Sequence, residues 1–226
     1  MPLRWEHDVE FLEYGDIYFF YKVKRNVEPH GIADVSRFFI VLDPEKENPP
    51  RYIVMGNKWL PKVFVDGNTA WGFVQIVGGR GFRTQTSRSP NIKNTSRPAG
   101  EGIYAIVTHR DHTHLLYLLE LPKAQGPVQK AFNIQKEGNY IFQNRSVETS
   151  PKSPDLQFSN FSRIDVNALN KRGTEILLVG VGSDIGRLGI SAQKDYETIQ
   201  TADIFSKLHL DRERHPIKSL ISGDWT

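Results

Sequence analysis

The chain contains no cysteine. That absence excludes disulfides, zinc-thiolate sites, iron-sulfur clusters and a cysteine nucleophile together. Long hydrophobic runs are missing as well. The strongest apolar stretch, Ile176 to Val181, is far shorter than the roughly 20 residues a membrane-spanning helix needs. The segment Met1-Pro2-Leu3-Arg4-Trp5-Glu6-His7-Asp8 carries no basic region followed by an apolar one, so it does not read as a secretory signal. These absences lead to the expectation of a cytoplasmic protein without membrane contact. Catalytic signatures are scarce too: there is no Gly-x-Ser-x-Gly elbow, no Walker loop and no His-Glu-x-x-His. The balance therefore leans away from an enzyme, and no cofactor is expected.

What is present is aromatic and β-branched. Hydrophobic residues make up 38% of the 226, with 13 Phe and 8 Tyr, enough apolar side chain to close a core. Runs rich in Ile, Val, Phe and Tyr, punctuated by Gly, Pro, Asn and Asp, read as strands near 16–23, 37–42, 51–55, 70–77, 102–108, 113–121, 139–143 and 175–181. In Thr113-His114-Leu115-Leu116-Tyr117-Leu118-Leu119 neither face is polar, which predicts a strand covered on both sides. Helix signals are few. Ile164 to Lys171 and Pro127 to Phe132 are short, while Tyr196, Ile199, Ala202, Phe205 and Leu208 recur at helical spacing near the end, before an arm from Asp211. The expected fold is mainly β: an antiparallel barrel or two-sheet sandwich with a few short helices and a C-terminal helix. One domain over residues 1–226 is expected, with a β core over about 10–190 and a helical segment over about 191–226.

Gly15-Asp16-Ile17-Tyr18-Phe19-Phe20-Tyr21, Arg97-Pro98-Ala99-Gly100-Glu101-Gly102 and His112-Thr113-His114-Leu115, taken together, resemble a family of uncharacterised bacterial proteins over most of the chain. A local likeness is to the EVE members of the PUA-like domains. It rests on Gly15 to Tyr21 followed by Gly31-Ile32-Ala33-Asp34-Val35. That likeness implies a small barrel related to readers of modified bases in nucleic acid.

Charge is small in sum, at +3, but uneven along the chain. Between Gly78 and Gly100 five bases, Arg80, Arg83, Arg88, Lys93 and Arg97, occur without a carboxylate, among Gly, Ser, Thr and Asn. Such a stretch suits phosphates, with hydroxyls and amides adding hydrogen bonds. Phe82, and Tyr18 and Tyr21 on the first strand, are candidates to stack on bases. Nucleic acid or another phosphate-bearing ligand, held by a non-catalytic binding module, is the leading functional expectation. A rival reading is a cupin-like, metal-dependent small-barrel enzyme. His112 and His114 share one face of a strand, Glu120 follows on that face if the strand is regular, and the arrangement resembles the cupin His-x-His pattern with a longer gap before the Glu. A third reading is a self-assembling interaction protein that uses its C-terminal helix or arm. The run Gly180-Val181-Gly182-Ser183-Asp184-Ile185-Gly186 follows a strand, but too little chain remains for a dinucleotide fold, so it reads as a glycine-rich turn.

Overall fold

The computed structural model describes residues 9–46, 48–63, 68–78, 96–145, 161–182, 198, 200–208, 210 and 215–225. Among these residues nine strands form one sheet: β1 (Val9–Val23), β2 (Val35–Pro44), β3 (Arg51–Met55), β4 (Thr69–Val77), β5 (Arg97–His109), β6 (His112–Leu121), β7 (Glu137–Arg145), β8 (Phe161–Arg163) and β9 (Glu175–Gly182). The order β6-β5-β1-β2-β3-β4-β9-β7 closes on itself, because β6 also pairs with β7. All these pairings are antiparallel. The result is an eight-stranded barrel, with β8 continuing the β7 edge where β6 leaves it. Among the described residues no helix is long and apolar enough to cross a membrane.

Alternation along the strands sorts side chains between two cores. Ile17, Phe19 and Tyr21 of β1, Phe38 and Ile40 of β2, Leu115, Tyr117 and Leu119 of β6 and Tyr140 and Phe142 of β7 point inward and pack together. An eight-stranded barrel is just wide enough for side chains to fill, and the large rings fill this one. Phe38 stacks on Phe132 at 4.7 Å between ring centroids, and Phe19 meets Tyr117 edge-on at 5.1 Å. Gly138 makes room for that arrangement: a Cβ there would lie 2.1 Å from the Tyr117 ring.

The intervening residues face outward and are also largely covered. Tyr18, Phe20, Phe39, Val41, Tyr52 and Val54 form an outer apolar layer with Ala202, Ile204, Leu208, Leu210 and Leu220. Ala105, Val107, Leu116 and Leu118 form another on the far side. The leucines of β6 thus divide as their sequence implies, 115 and 119 inward and 116 and 118 outward.

Both barrel ends are stoppered. At one, helix α1 (Pro127–Phe132) inserts Val128 and Phe132. Buried Gln129 ties it down, receiving the Gly126 amide and donating to the carbonyls of Ala99 and Ser219 at 2.7 and 2.9 Å. Trp225 packs over Tyr21 and Phe132 at the same end. At the other end the turn containing Ile164, Val166 and Leu169 closes over the core.

Among the described residues the C-terminal helical segment shows two single turns, α2 (Asp203–Ser206) and α3 (Lys218–Ile221). The helical spacing from Tyr196 to Leu208 is broken within the described residues. Thr201 bonds back to Thr198, and Ala202 leaves the helical conformation at φ −54°, ψ 121°, so local side-chain bonds win over the helix. The predicted helix over 164–171 is likewise reduced to a 3-10 turn at Ala168–Asn170. The described part of the expected arm, 215–225, lies on the chain's own barrel: His215 Nδ1 is 3.0 Å from the Ser96 carbonyl oxygen, and the Ser219 hydroxyl donates to that of Pro98.

Candidate functional site

The filled interior directs attention to the outer wall and the rims. The polar cluster inside the barrel serves the fold. Arg51, fully buried, pairs with Glu13, and Glu13 also accepts bonds from the Tyr104 hydroxyl and the Asn48 amide, both at 2.7 Å. Arg51 Nε donates to Asn170, whose amide donates to Asn48, closing a ring of hydrogen bonds at the end away from α1. Burial, and the carboxylate of Glu13 beside it, push the Tyr104 hydroxyl far above its usual pKa.

Of the residues the sequence nominated for ligand binding, Arg80, Phe82, Arg83, Arg88 and Lys93 lie outside the described residues. Three others can be placed. Tyr18 and Tyr21 are fully buried, Tyr18 beneath the C-terminal segment and Tyr21 beneath Trp225, so neither presents a ring for stacking. Arg97 is half-buried and donates to the Trp225 carbonyl at 3.2 Å, which makes it an anchor for the chain end. The alternation that marks a strand shows which residues share a face, but not what covers that face.

The histidines of the metal reading can be placed as well. His112 and His114 do share a face, with ring centroids 6.5 Å apart, and His109 lies 6.1 Å from His114. His112 is half exposed, whereas His114 is buried with Nδ1 2.8 Å from the Asn139 amide oxygen. Burial holds the His114 imidazole below its usual pKa, and its neighbours His109 and His112 add to that against the hydrogen bond to Asn139. Glu120 stands six residues on, roughly 20 Å along a strand. The register skips at that point, Leu121 facing Glu101 while Leu119 faces Gly102. Among the described residues no three of His, Asp and Glu stand together so as to hold a metal ion. The glycine run ends β9: Gly180 allows the Lys62 carbonyl to approach where a Cβ would be 2.3 Å away, and 183–186 lie outside the described residues.

Two like-charged pairs, absent from the sequence expectations, stand on the outer wall where β1 meets β2. Asp16 lies directly opposite Asp43, and Lys22 directly opposite Arg37. Facing like charges destabilise a sheet. For the first pair the fold supplies a cation. Lys207, just past α2, bonds both Asp16 and Asp203, the latter at 2.7 Å. Burial still raises the Asp16 carboxyl above its ordinary pKa, with Lys207 opposing, and Asp43 is raised by burial and then by Asp16. Glu101 holds the approach by accepting the backbone N–H of Asp203 and of Ile204.

The second pair has no such answer. Among the described residues neither Lys22 nor Arg37 has a carboxylate partner. Arg37 Nη1 donates to the Gln75 side chain at 3.3 Å, and the ammonium of Lys22 is held below its usual pKa by burial and then by Arg37. Exposed Lys24 and Arg25 follow in the turn. Of that turn's acids, Asp34 is engaged by the backbone N–H of His30 and Gly31, leaving Glu28. The signal for this strip was the run Lys22-Val23-Lys24-Arg25; its partner Arg37 emerges only from the register.

The row that begins with Lys22 and Arg37 continues across the sheet. Gly56 follows Met55, the partner of Phe38, and its N–H bonds the Trp71 carbonyl at 2.8 Å; Trp71 in turn faces Leu177. Trp71 is 51% exposed, and Trp59, on the loop after β3, is 41% exposed. No family model, no curated protein and no solved structure matches the chain.

Proposed function

We propose that the protein is a non-catalytic binding module for a phosphate-bearing ligand, nucleic acid foremost, engaged on the outer wall of the barrel. The observation that carries this reading is the facing pair Lys22 and Arg37, which has no carboxylate partner among the described residues. Two opposed cations on a half-buried sheet surface raise each other's cost, and a phosphate oxygen between them removes it. Lys24 and Arg25 extend the positive strip, and the acid-free bases between Gly78 and Gly100 add further charge in the sequence. The mechanism is release of condensed counter-ions as these side chains meet phosphates.

The test is a fluorescence-anisotropy titration of a labelled oligonucleotide at several salt concentrations. The unaltered protein should bind with an affinity that falls steeply with salt. Lys22→Ala with Arg37→Ala should reduce the slope of log affinity against log salt by about 0.7 to 0.9 for each phosphate that is no longer neutralised. Arg80→Ala, Arg83→Ala and Arg88→Ala together should flatten it further. Absence of salt-dependent binding to any oligonucleotide would overturn the reading.

A further inference from the structure

The ring of Trp71 is held in an unusual way for so exposed a side chain. A Cβ built on Gly56 would lie 2.4 Å from two atoms of that ring and 2.9 Å from a third. The six-membered ring therefore rests on the bare backbone of Gly56, in the space a side chain would take. One side is supported by the sheet, and with half of the residue exposed the other is open to solvent. Indole is planar, apolar and costly to leave in water, and it is the best aromatic partner for a stacked base or a cation. The glycine holds it in place before any ligand arrives, which spares the ordering cost of binding.

Its position gives it a ligand chemistry. Arg37 is in the same row two strands away, about 10 Å between backbones at the usual strand spacing, and Lys22 is one strand further. An aromatic plate and a pair of cations that lack carboxylate partners among the described residues, set side by side along one row, match a ligand that alternates a flat apolar ring with an anionic linker. In a duplex the faces of the bases are covered by their neighbours, whereas a single strand offers them. Resting on the reading of the outer wall as a phosphate-binding surface, we infer that Trp71 on Gly56 is a stacking platform and that the ligand class is single-stranded nucleic acid.

The experiment compares four probes against the full chain: a single-stranded oligonucleotide, the same sequence as a duplex, inorganic tripolyphosphate and a neutral oligosaccharide. The unaltered protein should favour the single strand over the duplex about tenfold or more, with tripolyphosphate weaker than either. Trp71→Ala should weaken single-strand binding by about tenfold while leaving the salt slope unchanged, because stacking releases no counter-ions. Gly56→Ala keeps the tryptophan but displaces its ring, and should reproduce most of that weakening. Far-ultraviolet circular dichroism and thermal melts of both variants separate a defect in stacking from a defect in folding. If Trp71→Ala and Gly56→Ala, both folded, bind the single strand as the unaltered protein does, or if the duplex binds equally well, the platform is refuted while the phosphate reading stands. If only the neutral oligosaccharide binds, both fall.

Discussion

The same two strands carry two like-charged pairs, and the fold treats them differently. Asp16 and Asp43 face each other beneath the C-terminal segment, where Lys207 neutralises them. Lys22 and Arg37 face each other six residues further along β1, where among the described residues no acid answers them. A third arrangement sets the scale: Glu13 and Arg51, opposite in sign and buried, pair directly and are bonded further by Tyr104, Asn48 and Asn170. Electrostatic strain in this barrel is resolved where charges are structural. The comparison teaches that the fold answers one facing pair with its own cation and, among the described residues, leaves the other without a carboxylate.

Breaking the interior pair should have the largest effect. Arg51→Met alone leaves the Glu13 carboxylate buried without its cation, a change expected to cost about 3 to 5 kcal/mol. Adding Glu13→Gln should recover a large part of that stability, since the stranded charge is then gone. Chemical denaturation of the single and double variants measures both, and equal stability of the two would refute the buried-charge account. Neither should alter the salt slope of ligand binding.

Removing Lys207 should act more mildly, because its ammonium is well solvated. Lys207→Ala should cost about 0.5 to 1 kcal/mol at neutral pH. The sign of its pH dependence follows from Asp16 and Asp43, whose carboxyls are raised in the folded protein. A raised carboxyl binds its proton more tightly folded than unfolded, so it opposes folding once pH rises above the folded value, and that penalty fades as pH falls towards the unfolded value of 3.8. The gap between the unaltered protein and Lys207→Ala should therefore shrink on acidification. Thermal melts across the carboxylate range check it, and a gap independent of pH would mean that Lys207 acts by packing alone.

The smallest change in stability should come from the outer cationic pair, and it should be a gain. Lys22→Glu converts the facing pair with Arg37 into one of opposite sign and should stabilise the barrel by about 0.2 to 1 kcal/mol. Binding of a single-stranded oligonucleotide should fall at the same time. A variant that melts higher and binds less is the signature of a site kept at a cost to the fold. One that melts lower would show that the pair is already answered within the chain.

Much of the barrel was legible in advance. Val, Ile, Phe and Tyr in short runs between turn residues marked eight of the nine strands among the described residues, and the doubly apolar pattern of 113–119 announced a wall covered on both faces. The three-residue β8 carried no such pattern. The site was far less legible. Tyr18 and Tyr21 stand in a conspicuous aromatic run, yet both are buried, whereas Trp71 in Ala70-Trp71-Gly72-Phe73 looks like any strand residue and is half exposed. Tyr18 is hidden by a segment nearly two hundred residues later in the chain, and no local pattern can report that.

The amino-acid sequence by itself determined that this chain builds β-structure without disulfides, and which residues of each strand share a face, because side-chain alternation and turn chemistry are local. Only the tertiary structure decided that Asp16 faces Asp43, that Lys22 faces Arg37 and that Gly56 lies beneath Trp71. Those are consequences of register and closure, which depend on pairings between strands distant in the chain, and it is register that turns single charged residues into pairs.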